Sequence, residues 1–293
     1  MWCYAKPVGR QGKPVFPDFV LHQRGDTAIW IDRKLADHDF IRRLCEADDM
    51  LTEPRCELIK NEKKIKVGRL TVQIAGRPRS LYLKRYNGLS FARRLFSPLM
   101  QSGAVRSLRG AAILRAANIP TATPVAAIES FRRGALRKSF FISEEIADGK
   151  TADVYWREKL AQLPGVQGVT SRRRFLAELA ALFQSLHARG IYHNDLKDAN
   201  ILVVGAHKET PMRLYLLDFE GVRRCARVSS NRIIKNLVQI NRTLGRYLRR
   251  SDKLFFLKRY LGASFTDDER KRRLIRKIMA ESRRVDQRKA RIA

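Results

Sequence analysis

His193-Asn194-Asp195-Leu196-Lys197-Asp198-Ala199-Asn200, running into Ile201-Leu202-Val203-Val204, is the stretch on which the reading of this 293-residue chain turns. It puts an Asp and an Asn five residues apart in a polar loop ahead of a short apolar strand. A second apolar run, Leu214-Tyr215-Leu216-Leu217, then ends in Asp218-Phe219-Glu220. Any one of these polar residues is accounted for by a turn or a helix cap, where Asp and Asn are common. The joint order H-x-D-L-x-x-x-N, strand, Asp-Phe is much harder to reach by chance. Phosphoryl transfer from ATP needs that set: a carboxylate to orient the attacking hydroxyl, and an amide with a second carboxylate to hold magnesium. Asp195 is then the candidate base, and Asn200 and Asp218 are the candidate ligands of Mg2+ and of the nucleotide it carries.

Around this centre, Lys197 is the second candidate catalytic residue, placed to neutralise charge on the phosphoryl group in flight, against the alternative of a solvated loop lysine. His193 reads as a residue hydrogen-bonded within the loop, and His187 as a packing residue. Ahead of the loop, Ser171–Arg189 has the spacing of an amphipathic helix, with Phe175, Leu176, Leu179, Leu182, Phe183 and Leu186 on one face and Gly190 as its stop.

Further upstream the period changes. Cys56–Ile59, Ile65–Ile74 and Ser80–Tyr86 alternate as an antiparallel meander, and Ser102–Asn118 reads as a helix capped by Ser102. Two more strands, Thr123–Ser130 and Ser139–Ile146, complete five strands and one helix. Leu81-Tyr82-Leu83-Lys84-Arg85-Tyr86 has the form of the strand that carries an ATP-phosphate lysine, which nominates Lys84. The turn Asn61–Lys64 carries no G-x-G-x-x-G but has Lys60, Lys63 and Lys64 about it, and Ser102–Asn118 holds no acidic residue to pair with Lys84.

The remainder divides less sharply. Residues 1–55 form a leader of uncertain role, with a hairpin expected at Phe19–His22 and Thr27–Asp32 and helical spacing over Leu35–Met50. Residues 56–147 make a small, β-rich N-lobe; residues 148–293 make a mainly helical C-lobe that closes on helices at Asn231–Arg249, Asp252–Leu261 and Asp267 to about Arg288. The expected class is α+β, two-lobed and protein-kinase-like. Scattered cysteines suit a reducing compartment, no apolar run approaches the length of a membrane span, and the N-terminus lacks the apolar core of a signal peptide.

Sixty Lys plus Arg against 29 Asp plus Glu leave a net charge of +31. A field of that sign draws polyanions, whether nucleic acid, an anionic membrane or a phosphorylated substrate. Only about ten residues lie between Phe219-Glu220-Gly221 and the helix near Asn231, and no Ala-Pro-Glu follows. A peptide-docking, phosphorylation-switched segment has little room there, which favours a small acceptor.

Leu83-Lys84-Arg85-Tyr86, Ala117-Asn118-Ile119-Pro120-Thr121-Ala122-Thr123-Pro124, Ile191 to Asn200 and Leu217-Asp218-Phe219-Glu220-Gly221-Val222-Arg223 together resemble the lipopolysaccharide core kinases of the Kdo/WaaP family, within the protein-kinase-like superfamily. The resemblance covers roughly Cys56 to Leu261. It implies Asp195 as base, Asn200 and Asp218 as magnesium ligands, Lys84 and Lys197 as phosphate contacts, and ATP and Mg2+ as cofactors. It implies as acceptor a heptose or Kdo hydroxyl of the inner core, met by a peripheral enzyme on the cytoplasmic face of the inner membrane. Departures are Glu220 for the Gly of D-F-G, Asn194 for the Arg of H-R-D and the missing helix carboxylate.

Two alternatives remain at this point. One is an atypical RIO-like protein kinase, lowered by the lack of an aromatic RNA-binding signature; the other is a non-catalytic kinase-shaped binder of membrane or nucleic acid. The last helix, with Leu274, Ile275, Ile278, Met279 and Val285 beside Arg270, Lys271, Arg272, Arg273, Arg276 and Lys277, is either a membrane contact or a helix packed on the large lobe.

Overall fold

The computed structural model describes residues 16–87, 101–133, 135–205 and 211–291. The chain forms two compact units, residues 1–112 with 122–146, and residues 113–121 with 147–293. Most of the irregular tail expected over residues 1–18 lies outside the described residues.

The first unit is a seven-stranded antiparallel sheet in the order β1-β2-β6-β7-β5-β4-β3. Its strands are β1 (Phe19–Arg24), β2 (Thr27–Asp32), β3 (Glu57–Asn61), β4 (Ile65–Ile74), β5 (Arg77–Asn87), β6 (Pro124–Arg132) and β7 (Ala135–Glu144). Alternation decides which side chains enter the core. Leu70, Val72, Ile74, Leu81, Leu83, Phe140 and Ile142 point to one face, where Phe40, Ile41 and Leu44 of α1 (His38–Cys45) and Met50 of α2 (Ala47–Met50) cover them. Asp37 caps α1 by accepting a hydrogen bond from the Phe40 amide at 2.9 Å. The segment read as a leader therefore supplies the expected hairpin, as β1 and β2, and the helical cover of this sheet, and its two strands join the five expected downstream in one seven-stranded sheet.

Lys84 lies directly opposite Val67 on β4 and Phe141 on β7, on the face away from that core. There α3 (Gly103–Ala116) begins at Ser102, whose hydroxyl accepts from the Val105 amide at 3.1 Å.

In the second unit, α4 (Ala152–Tyr155) runs through one wide turn, Trp156–Leu160, towards α5 (Gly165–Ala188). Trp156 packs on Phe175 with ring centroids 5.8 Å apart. Gly190, at φ +70°, ends the α5 segment as a left-handed stop that a side chain would strain. The small sheets are β8 (Lys150–Thr151), β10 (Ile201–Val204) and β11 (Arg213–Leu216), and β9 (Ile191–His193) paired with β12 (Val222–Arg224). Thr121 bridges Leu216, and the Leu216 amide donates to the Pro120 carbonyl at 2.9 Å, so the Ile-Pro-Thr segment anchors the strand that leads to Asp218.

The C-terminal helices are α6 (Ser230–Arg242), α7 (Arg250–Leu261) and α8 (Asp268–Ala290). The helix expected over Asn231–Arg249 ends at Arg242 because Thr243 leaves helical geometry and its hydroxyl bonds back to the Gln239 carbonyl at 3.0 Å. On α8, Ile275, Ile278 and Met279 line an open cavity of about 470 Å³ with Leu237, Ile240, Leu254 and Phe256. Ser282 accepts from Asn241 at 3.0 Å, and Arg242 pairs with Asp286 at 2.6 Å. These two bonds fasten α8 to α6, while Met279 of its apolar stripe stays exposed.

Candidate active site

The stretch His193–Asn200 is a loop between β9 and β10, and it is built around the imidazole of His193. That ring is fully buried. Its Nε2 lies 3.0 Å from the Leu217 carbonyl, and its Nδ1 accepts the Asp195 amide at 3.2 Å. This pairing is that of a neutral ring with the proton on Nε2. Burial lowers the His193 pKa, opposed by the Leu217 bond and by the neighbouring Asp218 and Asp195 carboxylates. His193 thereby joins the loop to the end of the strand that delivers Asp218.

Asp195 is half-exposed, and its two oxygens differ. Oδ2 accepts Lys197 Nζ at 2.7 Å and Asn200 Nδ2 at 3.1 Å; the nearest donor to Oδ1 is Gln239 Nε2, at a long 3.5 Å. Oδ1 is the oxygen with capacity left to take a hydroxyl proton. Asn200 spends its amide N–H groups on Asp195, giving 2.7 Å to the main-chain oxygen as well, and among the described residues its Oδ1 accepts nothing. Asp218 has φ +58° and ψ 69°, left-handed geometry that is uncommon outside glycine and recurs at functional sites.

An amide oxygen without a donor and a carboxylate held in this strained turn fit a hard cation, which takes oxygen ligands. Among the described residues no group of three or more His, Cys, Asp or Glu could hold a metal. Two protein oxygens completed by nucleotide phosphates and water is the arrangement magnesium commonly takes.

The site thus brings Asp195, Lys197 and Asn200 into direct contact and sets Asp218 beside them at His193. Lys84 belongs to the other unit. Its ammonium stands 5.1 Å from the centroid of the Tyr86 ring, whose hydroxyl bonds Ser107 Oγ of α3 at 2.7 Å. Ser107 stands where a helix carboxylate is expected and is buried. Arg85 points to the opposite face and pairs with Asp48 at 2.9 Å, so the alternation of β5 separates two adjacent cations into different tasks. Of the turn lysines, Lys60 pairs with Glu62 at 3.0 Å.

Several supporting residues escape a reading of the loop alone, and all lie on α6. Asn236 donates to the His193 carbonyl at 2.7 Å and Gln239 to the Asn194 carbonyl at 2.8 Å, while Gln239 Oε1 accepts the Leu196 amide at 3.2 Å. Lys235 reaches Asn194 Oδ1 at 2.9 Å. Asn236 also meets His187 Nε2 at 3.2 Å, and His187 Nδ1 lies 2.8 Å from the Tyr260 hydroxyl. His187 is therefore more than packing: it ties α5, α6 and α7 together beneath the loop. The signal available in sequence was Asn236 itself, a polar residue on the same helical face as Ile233 and Ile240, where burial demands partners.

Gly221 resolves one departure. Its carbonyl accepts the Asn194 amide at 3.1 Å, and a Cβ there would stand 2.8 Å from Asn194 Cβ. The close approach that demands glycine falls one residue after Glu220.

The lipopolysaccharide kinase (Kdo/WaaP) family model matches residues 53–260. No curated protein matches the chain. Among solved structures it is similar to WaaP in complex with acyl carrier protein, with a TM-score of 0.61 and 20% identity over 85% of this chain and 97% of that one. At that identity the likeness establishes a kinase-like fold.

Proposed function

The chain belongs to the lipopolysaccharide kinase (Kdo/WaaP) family and is a kinase acting on the lipopolysaccharide core, and on that premise we propose that it transfers the γ-phosphoryl group of ATP to a heptose or Kdo hydroxyl of the inner core. The observation that carries this reading is Asp195 with one oxygen held by Lys197 and Asn200 and the other left with only a distant donor. Asp195 Oδ1 orients the sugar hydroxyl and takes its proton. Lys197, released from Asp195 towards the incoming phosphate, balances charge as it transfers. Asn200 Oδ1 and the Asp218 carboxylate would hold Mg2+, and Lys84 would contact the ATP phosphates. Bound with ATP, the cation supplies charge neutralisation on the phosphate oxygens.

The acceptor reading is supported by charge and by what is short. A net charge of +31 suits an anionic glycolipid in an anionic leaflet. Phe219–Gly221 passes through β12 directly into α6 at Ser230, which leaves no long segment for peptide. Among the described residues no helix is long and apolar enough to cross a membrane. We place the enzyme peripherally on the cytoplasmic face of the inner membrane, where ATP and core lipid meet.

The test is ATP/Mg2+ transfer assayed in parallel on core lipopolysaccharide, on protein and in buffer alone, with Asp195→Ala as control. Label on the sugar that disappears in the variant is the expected result. Label confined to protein, or no turnover that depends on Asp195, overturns it.

A further inference from the structure

Beside the catalytic loop lies a group of cations that the phosphoryl-transfer chemistry does not use. Tyr192 precedes His193 on β9, and Arg223 of β12 stands directly opposite it in the ladder. Directly opposite residues of an antiparallel pair share a face, so Arg223 and Tyr192 are neighbours. The Tyr192 ring is buried beneath two side chains of α6: the Arg232 guanidinium at 5.0 Å from its centroid and the Lys235 ammonium at 5.9 Å. Three positive side chains thus gather round one aromatic ring.

Their other contacts are few and specific. Lys235 Nζ donates to Asn194 Oδ1 at 2.9 Å, an oxygen that also accepts the Tyr192 hydroxyl at 3.1 Å. Arg232 gives one N–H to the Cys225 sulfur at 2.9 Å. Among the described residues no carboxylate pairs with Arg223, Arg232 or Lys235, although Arg42, Arg43, Arg69, Arg79, Arg85 and Arg242 all have one. Lys235 keeps two of its three donors and Arg232 most of its five, fixed in place by the ring beneath them. Like charges held together without a counter-ion repel one another, and the field they create favours an anion.

The position gives this anion site a partner. Lys235 and Gln239 are one helical turn apart on the same face of α6, so their Cβ atoms lie about 5–6 Å apart. Gln239 is the residue that reaches Asp195 Oδ1, and Lys235 binds the residue immediately before Asp195. An anion on Lys235 therefore sits about one sugar ring from the base. We propose that Arg223, Arg232 and Lys235 form a binding site for an anionic substituent, carboxylate or phosphate, carried by the acceptor sugar or by the residue next to it. The site rests on the sugar-kinase reading for its role and makes it more specific. The acceptor is recognised by a charge close to its reacting hydroxyl, in addition to any attraction of the whole protein for an anionic surface.

The Arg223→Gln/Lys235→Gln double variant tests this on the full chain. Both side chains are exposed, and the melting temperature is expected to stay within about 2 °C. The acceptor KM is expected to rise at least about tenfold, the loss of roughly 1.4 kcal/mol of binding, with the KM for ATP changed less than twofold. Three acceptors separate the two sources of charge: intact core oligosaccharide, the same material after phosphatase, and the same after carboxyl reduction. Wild-type enzyme should lose efficiency on one of the treated acceptors, and the double variant should treat that one and the intact acceptor alike. An unchanged acceptor KM, a rise in the KM for ATP instead, or discrimination retained in the variant overturns the proposal. A second arm needs no turnover. Binding of glucuronate and of galactose 6-phosphate, read by ligand-observed NMR, should be at least tenfold weaker for the variant for one of the two probes. Equal binding of both to the two proteins refutes the anion site even where transfer to core lipopolysaccharide succeeds. Weakened binding without any sugar phosphorylation refutes the kinase reading and leaves the site standing.

Discussion

Asn236 Nδ2 lies 2.7 Å from the main-chain oxygen of His193, and with the two bonds of Gln239 to Asn194 and Leu196 this contact lets α6 hold the backbone of the His193–Asn200 loop. Asn236 is fully buried, and its Oδ1 faces His187. Replacing it by Ala leaves the His193 carbonyl and an imidazole nitrogen without partners inside the protein. Each such loss costs about 1–3 kcal/mol, so Asn236→Ala should lower stability by about 2–4 kcal/mol and the thermal midpoint by roughly 5–10 °C. At a temperature where the variant is folded, kcat should fall while the KM for ATP changes little. Urea unfolding and steady-state kinetics check both.

Gly221→Ala should act on the same loop from the other side. The added Cβ would meet Asn194 Cβ at 2.8 Å, closer than the two carbons can approach. Overpacking of this kind costs about 1–3 kcal/mol. The displaced residue adjoins Asp195, so the expected signature is a fall in kcat greater than the fall in stability. Glu220→Gly, the change that would write D-F-G in its usual form, should not rescue it, because the close approach lies at residue 221.

Adjacent substitutions in β5 should give opposite phenotypes. Lys84→Met removes the proposed phosphate contact from the face away from the core and should reduce kcat/KM for ATP by about 10²–10³, with the melting temperature nearly unchanged. Arg85→Met removes the partner of Asp48 on the other face. Lys138 still pairs with Asp48, so the cost is about 1 kcal/mol of stability with activity retained. Thermal melts and ATP titrations of the two variants separate them; equal activity loss in both would contradict the division of the strand.

The contrast between these residues shows what was legible beforehand. Asp195, Lys197 and Asn200 are close in sequence because the loop itself is the device, and its local order is dictated by the chemistry. Asp218 was legible because it ends an apolar strand. Lys84 was nominated from the form of its strand, and its separation from Arg85 needed the partner Asp48, which comes from the segment read as a leader. The hairpin and helix of that segment were legible but their place was not, because Ile29, Ile31, Phe40 and Leu44 make sense only once a sheet face is there to cover. Asn236, Gln239 and Lys235 act across about 40 residues of chain. A helix pattern shows which face is buried and not which backbone atoms wait beneath it. The run of α6 past Arg242 failed for a similar reason, since Thr243 is an acceptable helix residue until its hydroxyl is claimed by Gln239 and by the Asp198 amide.

Stability should depend on pH through buried imidazoles. Burial lowers the pKa of His187, against the raising effect of Asn236, and lowers that of His193, against Leu217, Asp218 and Asp195; His22 is lowered in the same way. The unfolded chain therefore binds protons below about pH 6.5 that the folded chain refuses. The stabilisation is complete above that value and is lost as pH falls towards the depressed folded values. Each histidine contributes at most about 1.4 kcal/mol per pH unit. Burial raises the carboxyls of Asp198 and Glu129, so these bind protons more readily when folded and oppose the trend from about pH 4–4.5 up to their raised values. Between pH 7.5 and 5.5 the histidines dominate, and the thermal midpoint should fall. In His187→Gln the midpoint should be lower at pH 7.5 but should drop less on acidification, because one refused proton has gone. Melting curves of the two proteins at both pH values decide it; parallel declines would place the titration elsewhere than at the helix junction under the loop.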